Sequence, residues 1–228
     1  MRPGVLVTGG ATGFGRVFAE EMCRAGATVV ITGRDSGALR QARDELPGVC
    51  AVTMDSTDRA SVEAAVTAAE AASGPLDALV HVVDVAGPAG PAWEVDQDDW
   101  WRAVEVALRG TAVTTAAVLA RMVPRKHGRI VTVVSHATGA RATACSVAKA
   151  AVAGLTEGLA AETREHGVAV LSYHPGPVDP GVTGPAAAEA AAVLRRIVEG
   201  TADHRSGEHL TAEDPLVRTA WEPMPLSW

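Results

Sequence analysis

VLVTGGATGFG, residues 5–15, decides how this chain is read. Three apolar, mostly β-branched residues suit a buried strand, and the residues from Phe14 onward suit a helix. Between them Gly9, Gly13 and Gly15 in TGGATGFG (8–15) mark a sharp βα turn. Such a turn needs glycine where the backbone takes left-handed angles or where a Cβ would intrude. It also leaves uncommitted N–H groups at the positive end of a helix dipole, which suits a phosphate. A glycine pattern alone is weak, but strand, loop and helix in that order give it meaning.

Outward from that turn, short apolar runs alternate with longer alanine-rich ones. Strands are expected at 5–9, 28–33, 49–55, 76–83, 129–135 and 168–173, with a weak final strand in SGEHLTAED (206–214). Helices are expected near 14–25, 36–46, 58–73, 98–124 and 143–166. Near-continuous apolar strands separated by helices are what a parallel sheet covered on both faces requires. The expected fold is α/β, a Rossmann-type doubly wound parallel sheet in a single domain over 1–228. No linker or repeat divides the chain, and the Pro/Gly-rich stretch opening 175–205 suggests a surface excursion or lid.

Composition narrows the function classes. A formal net charge of −7, with no extended basic run, argues against nucleic acid and anionic membrane surfaces. No run of 18 apolar residues suggests a membrane span, and the N-terminus goes straight into a strand rather than a signal peptide. Cysteines at 23, 50 and 145 cannot all pair and match no metal spacing, so a reducing, cytoplasmic setting is expected. Lys149 is one of only two lysines among 20 basic residues, and Cys145 lies one helical turn before it.

The spacing TGxxxGxG is similar to that of the short-chain dehydrogenase/reductase family, and the resemblance extends over roughly residues 4–180. Val85 to Leu108 follows the family register without gaps, GRIVTVVS (128–135) resembles its active-site strand, and CSVAK (145–149) occupies its YxASK segment. Pro175 and Gly176 match the PG after its sixth strand, with a vaguer echo at Ser206-Gly207. By this resemblance Thr8, Gly9, Gly13, Gly15, Asp55, Lys149, Pro175 and Gly176 are cofactor-binding positions. The residue ending the second strand separates the two nicotinamide cofactors in the family. Here Gly33 replaces the acidic residue that would hold an NAD ribose, and Arg34 follows it, so the resemblance implies NADP(H). Asp35 opposes that implication, although its side chain is expected to face away. The NNAG segment departs from the family: it reads His81-Val82-Val83-Asp84 and brings an acidic group near the diphosphate path.

The catalytic positions implied by the resemblance are altered. Ser135 and Lys149 match, whereas Ala107 stands for the relay asparagine and Cys145 for the acid/base tyrosine. Tyr173, the sole tyrosine, lies on the sixth strand, so no Tyr-x-x-x-Lys exists. A thiol beside an ammonium is acidic enough for proton transfer, but its sulfur lies too close to the backbone to meet a substrate carbonyl directly. Read as residues alone, Ser135, Cys145 and Lys149 also have structural roles open to them, Cys145 as a small apolar filler. His136, Arg141 and His174 are expected near the pocket mouth, and Tyr173 near its floor.

Three functions follow. One is a redox-altered or otherwise non-standard enzyme acting on a small carbonyl-type or biosynthetic intermediate through Ser135, Cys145 and Lys149. Another is a silent subunit, forming a homo-oligomer or pairing with an active relative through helices 98–123 and 145–165. The third is a cofactor-sensing regulator. A small-molecule substrate, no nucleic acid and no membrane are the expected partners.

Overall fold

The computed structural model describes residues 2–83, 87–134, 142–176 and 184–214. Strands β1 (Gly4–Thr8), β2 (Thr28–Gly33), β3 (Cys50–Thr53), β4 (Leu76–Val82), β5 (Gly128–Val133), β6 (Val168–His174) and β7 (His209–Thr211) form one sheet. Its order is β3-β2-β1-β4-β5-β6-β7, and every pairing is parallel. Helices α1 (Gly13–Arg24), α2 (Ser36–Glu45), α3 (Arg59–Ser73), α4 (Gln97–Arg125), α5 (Thr143–Thr163) and α6 (Pro185–Val198) connect the strands. The doubly wound α/β fold expected from sequence is the one adopted.

The period of two along each strand sends successive side chains to opposite faces. Val5, Val7, Ile31, Val131 and Leu171 pack under α1, α2 and α6, with Phe18 and Leu194 fully buried among them. Leu6, Val30, Leu79, Ile130 and Val170 pack on the other face, against Val62, Val66, Val118 and Met122 of α3 and α4. Both faces are covered, which is why the strands read as continuous rather than alternating apolar runs. Among the described residues, α4 alone has a membrane-compatible length and hydropathy, but half of that window is buried inside the protein.

The lid expected over 175–205 is corrected over most of its length. Residues 185–198 form α6, with Pro185 in its first turn, and Ala187, Ala190, Ala191, Leu194 and Ile197 all buried. Its apolar stripe, spaced at three and four residues, docks on α1 and completes one core. Proline and glycine before Pro185 obscured a helix whose first turns bury only alanine. The loop part of the expected lid, residues 177–183, lies outside the described residues.

Candidate functional site

The order of strands reverses between β1 and β4, and a cleft of about 430 Å³ opens there at their C-terminal ends. Thr8, Gly9, Arg34, Met54, His81 and Ala107 are among its walls. The glycine loop folds as its spacing requires. Gly9 and Gly13 take φ of +67° and +51°, and a Cβ on Gly15 would collide with the Gly9 carbonyl oxygen. Helices α2, α3 and α4 each begin with an aspartate side chain bonded to their first turn: Asp35, Asp58 and Asp96. Helix α1 has neither a side-chain cap nor an acidic residue in its first turn. Its N-terminus therefore keeps a positive dipole end beside the cleft, and these residues fit a dinucleotide phosphate.

The wall between β1 and β4 is polar but closed on itself. Thr8 Oγ1 and His81 Nδ1, paired across the two strands, lie 2.8 Å apart in a buried contact. Burial pushes the His81 pKa down to about 4, so the ring is neutral near pH 7. Beside it, Thr32 Oγ1 is buried with no hydrogen-bond partner, and Thr32 lines the same cleft. Such a group costs stability unless something satisfies it, and a bound ribose or adenine edge would do so. Ala107 lines the opposite wall, 5% exposed, and supplies no polar side-chain atom there.

At the cleft mouth the charges divide by sign. Asp35, expected to face away, lines the cleft as well, although its Oδ1 accepts from Gly37 N at 2.7 Å and Ala38 N at 3.1 Å at the N-terminus of α2. Arg34 is exposed and lines the cleft. Asp55 lies just past β3, and its carboxylate accepts from Thr57 Oγ1 at 2.7 Å and Thr57 N at 2.9 Å. Those bonds, with lesser help from Arg34 and Arg109, hold it below the usual carboxylate range. Its neighbours Met54 and Ser56, rather than Asp55 itself, line the cleft.

Of the cofactor positions expected from sequence, Thr8, Gly9 and Arg34 border this cleft directly. Gly13 borders an adjoining cavity between α1, α2 and α6, and Gly15 acts through backbone contact alone. Gly176 donates its N–H to His174 Nδ1 at 2.9 Å, just after Pro175 at the end of β6. Ser135, His136, Arg141 and Asp84 lie outside the described residues.

Cys145 and Lys149 both sit on α5, yet they meet different surroundings. Cys145 is half-buried, and its Sγ stands 3.2 Å from where a Cβ on Gly87 would be, beside Ala103 and Ala144. Lys149 lines a second cleft of about 430 Å³ between α5 and the β6–β7 edge. Ser146, Ser172, His174, His209 and Thr211 share that lining. Within it Ser172 Oγ contacts His209 Nδ1, and His209 Nε2 lies 3.1 Å from Glu157 Oε1. No sequence signal links these three residues, which come from β6, β7 and α5. Tyr173, expected at the pocket floor, points the other way. It is fully buried on the α6 face, and its hydroxyl donates to the Ala190 carbonyl at 2.9 Å. Burial, with Glu189 nearby, pushes its pKa far up, so it is no acid/base candidate.

Comparison with known proteins fits this architecture. The family model described as short chain dehydrogenase matches residues 4–191. The chain belongs to the short-chain dehydrogenase/reductase family. A short chain dehydrogenase of Pseudocercospora fijiensis is 34% identical over 183 residues, which span 76% of this chain but 59% of that protein. The cis-4-hydroxycyclohexanecarboxylate dehydrogenase of Sinomonas cyclohexanicum is 37% identical over 180 residues, covering 76% of this chain and 72% of its own length. Among solved structures, the 3-ketoacyl-(acyl-carrier-protein) reductase of Brucella melitensis, complexed with NADH, superposes with a TM-score of 0.82. That likeness covers 91% of this chain and 95% of the other at 23% identity, and it concerns the fold.

Proposed function

We propose that this family member binds NADP(H) in the switch-point cleft and performs non-standard oxidoreductase chemistry on a small carbonyl-type compound. The observation that carries the cofactor is Arg34 at the cleft mouth beside Gly33, with the adjacent Asp35 carboxylate engaged by α2. A guanidinium there receives a 2′-phosphate, and no carboxylate at position 33 competes for a ribose 2′-OH. A nicotinamide bound here would supply the hydride; Gly9, the open end of α1 and Arg34 would hold its phosphates. The chemistry is non-standard because Ala107 cannot order a water relay and Cys145 cannot reach as a phenol would. Ser135, Cys145 and Lys149 are the side chains left for proton handling. The Sinomonas relative, named for oxidising a small hydroxy acid, supports a small-molecule substrate. Fluorescence titration with NADPH and NADH tests this reading: saturation by NADPH below millimolar concentration is expected. No binding of either nucleotide would overturn it.

Pairing through α4 and α5 has its own support. Trp93, Trp101 and Val147 are 84%, 62% and 44% exposed, on or beside the outer faces of these two helices. Large apolar side chains so placed suit a second subunit, either another copy or an active relative. Light scattering coupled to gel filtration distinguishes a monomer, and Trp101→Glu should dissociate any assembly formed this way.

A further inference from the structure

We infer that the base of a bound nucleotide is read by Ser56 rather than by Asp55, and that the cleft therefore accepts a 6-oxopurine as readily as adenine. The inference rests on the NADP(H) reading of the switch-point cleft and adds which nucleotide bases fit it.

Sheet order places the base. The cleft lining follows the strands outward, from the glycine loop after β1 to Gly33 and Arg34 at the end of β2, then to Met54 and Ser56 after β3. With the diphosphate on the glycine loop and the 2′-phosphate on Arg34, the base falls beside Met54, Ser56 and, from α4, Val106. Met54 and Val106 are apolar and suit the faces of a flat ring. Ser56, half-buried, brings a hydroxyl to that end of the cleft.

Asp55 is withheld from the cleft. Its Oδ1 accepts from both Thr57 N and Thr57 Oγ1, and its own N–H donates to Ser61 Oγ at 3.0 Å. Just before it, Met54 N–H donates to the Gly33 carbonyl at 2.9 Å, so the turn is tied to β2 on one side and to itself on the other. That bracing fixes Ser56. Helix α4 meets it with Gly110, buried in the helix interior, where glycine is less stable than alanine. A Cβ on Gly110 would stand 2.5 Å from Ser56 Oγ and 3.1 Å from Ser56 Cβ. Glycine at 110 leaves the room that the serine occupies.

The change of reading group changes what is read. A carboxylate only accepts, so it selects the amino group of adenine. A hydroxyl donates or accepts by turning about one bond, so it meets an amino N–H or a 6-oxo oxygen alike. Asp35 is the one carboxylate among the described lining residues, and it lies beside Arg34 with Oδ1 held at the start of α2. Among the described residues, then, no carboxylate lines the base end to reject an oxo group.

The test is fluorescence titration of the whole chain with NADPH and with its hypoxanthine counterpart, in which oxygen replaces the adenine amino group. The two dissociation constants are expected to agree within about threefold, because one hydrogen bond is exchanged for another. Ser56→Ala should weaken both nucleotides about fivefold without lowering Tm, a combination that a packing role would not produce. Gly110→Ala should give the same loss with the serine intact, because the new methyl turns its hydroxyl aside. If that variant melts early, Ser56→Ala carries the test. A preference of about tenfold or more for NADPH, or affinities unchanged in Ser56→Ala, overturns the base assignment and leaves the cofactor reading standing. Binding of neither nucleotide overturns the cofactor reading and this inference with it.

Discussion

Thr8 Oγ1 and His81 Nδ1 meet at 2.8 Å inside the sheet, tying the end of β1 to the end of β4 at the floor of the nucleotide-type cleft. His81 supplies a polar link at that point while presenting an aromatic ring. The pair joins residues 73 positions apart, and either neutral tautomer completes it, with Thr8 O–H donating to Nδ1 or Nδ1–H donating to Thr8 Oγ1.

Stability should carry the signature of that histidine. Its folded pKa is about 4, below the ordinary value of 6.5. Above the ordinary value neither folded nor unfolded chains are protonated there, and the residue contributes no pH dependence. As pH falls towards about 4 the unfolded chain gains a proton that the folded chain refuses, so stability drops. The full loss is about 3 kcal/mol. Urea unfolding between pH 7 and 4.5 should show it, and His81→Asn should flatten that part of the profile.

Arg34 should set cofactor choice. Arg34→Asp is expected to weaken NADPH binding about 10- to 100-fold while changing NADH binding far less, because only the 2′-phosphate loses its charged partner. Fluorescence titration of both nucleotides checks this. Equal losses for both would mean that Arg34 holds the fold or the diphosphate instead.

Gly15→Ala should disable the glycine loop without touching any charge. Its Cβ would overlap the Gly9 carbonyl oxygen, and backbone on both sides leaves no flexible side chain to yield. A cost of about 1–3 kcal/mol is expected, visible as a lowered Tm, together with loss of nucleotide binding. Gly26→Ala is the contrasting variant: nothing lies near its Cβ position, but its φ of +87° strains any side chain. It should lower Tm and leave nucleotide binding intact.

Cys145→Tyr alone should restore little ketone reduction. Ala107 still supplies no relay group, and the new ring must find room where Sγ already sits 3.2 Å from the Cβ position of Gly87. Steady-state assay over a ketone panel checks the rate, and thermal melting reads the packing cost, about 1–3 kcal/mol. Recovery to ordinary reductase rates would show that position 107 matters less than its alignment suggests.

Tyr173→Phe separates architecture from chemistry. It removes the hydroxyl donated to Ala190 and should cost about 1 kcal/mol, with nucleotide binding unchanged.

The sequence by itself determined the features that depend on local backbone rules. Gly9, Gly13 and Gly15 are legible because left-handed angles and a missing Cβ are properties of single residues. The strands from 4 to 174 are legible because burial on both faces writes an apolar run. Arg34 after Gly33 is legible because the strand end and the helix start fall on either side of it. Helix α6 was hidden by the Pro/Gly stretch before it and by first turns that bury only alanine. Tertiary structure alone decided the rest. Strand parity sent Tyr173 into the α6 core and Ser172 into the cleft. Parallel pairing at β6–β7 brought His209 to Ser172, and the packing of α5 brought Glu157 to His209. Contacts 37 and 52 residues apart leave no periodic trace in a chain, because they are set by which faces of distant elements meet rather than by what adjoins them.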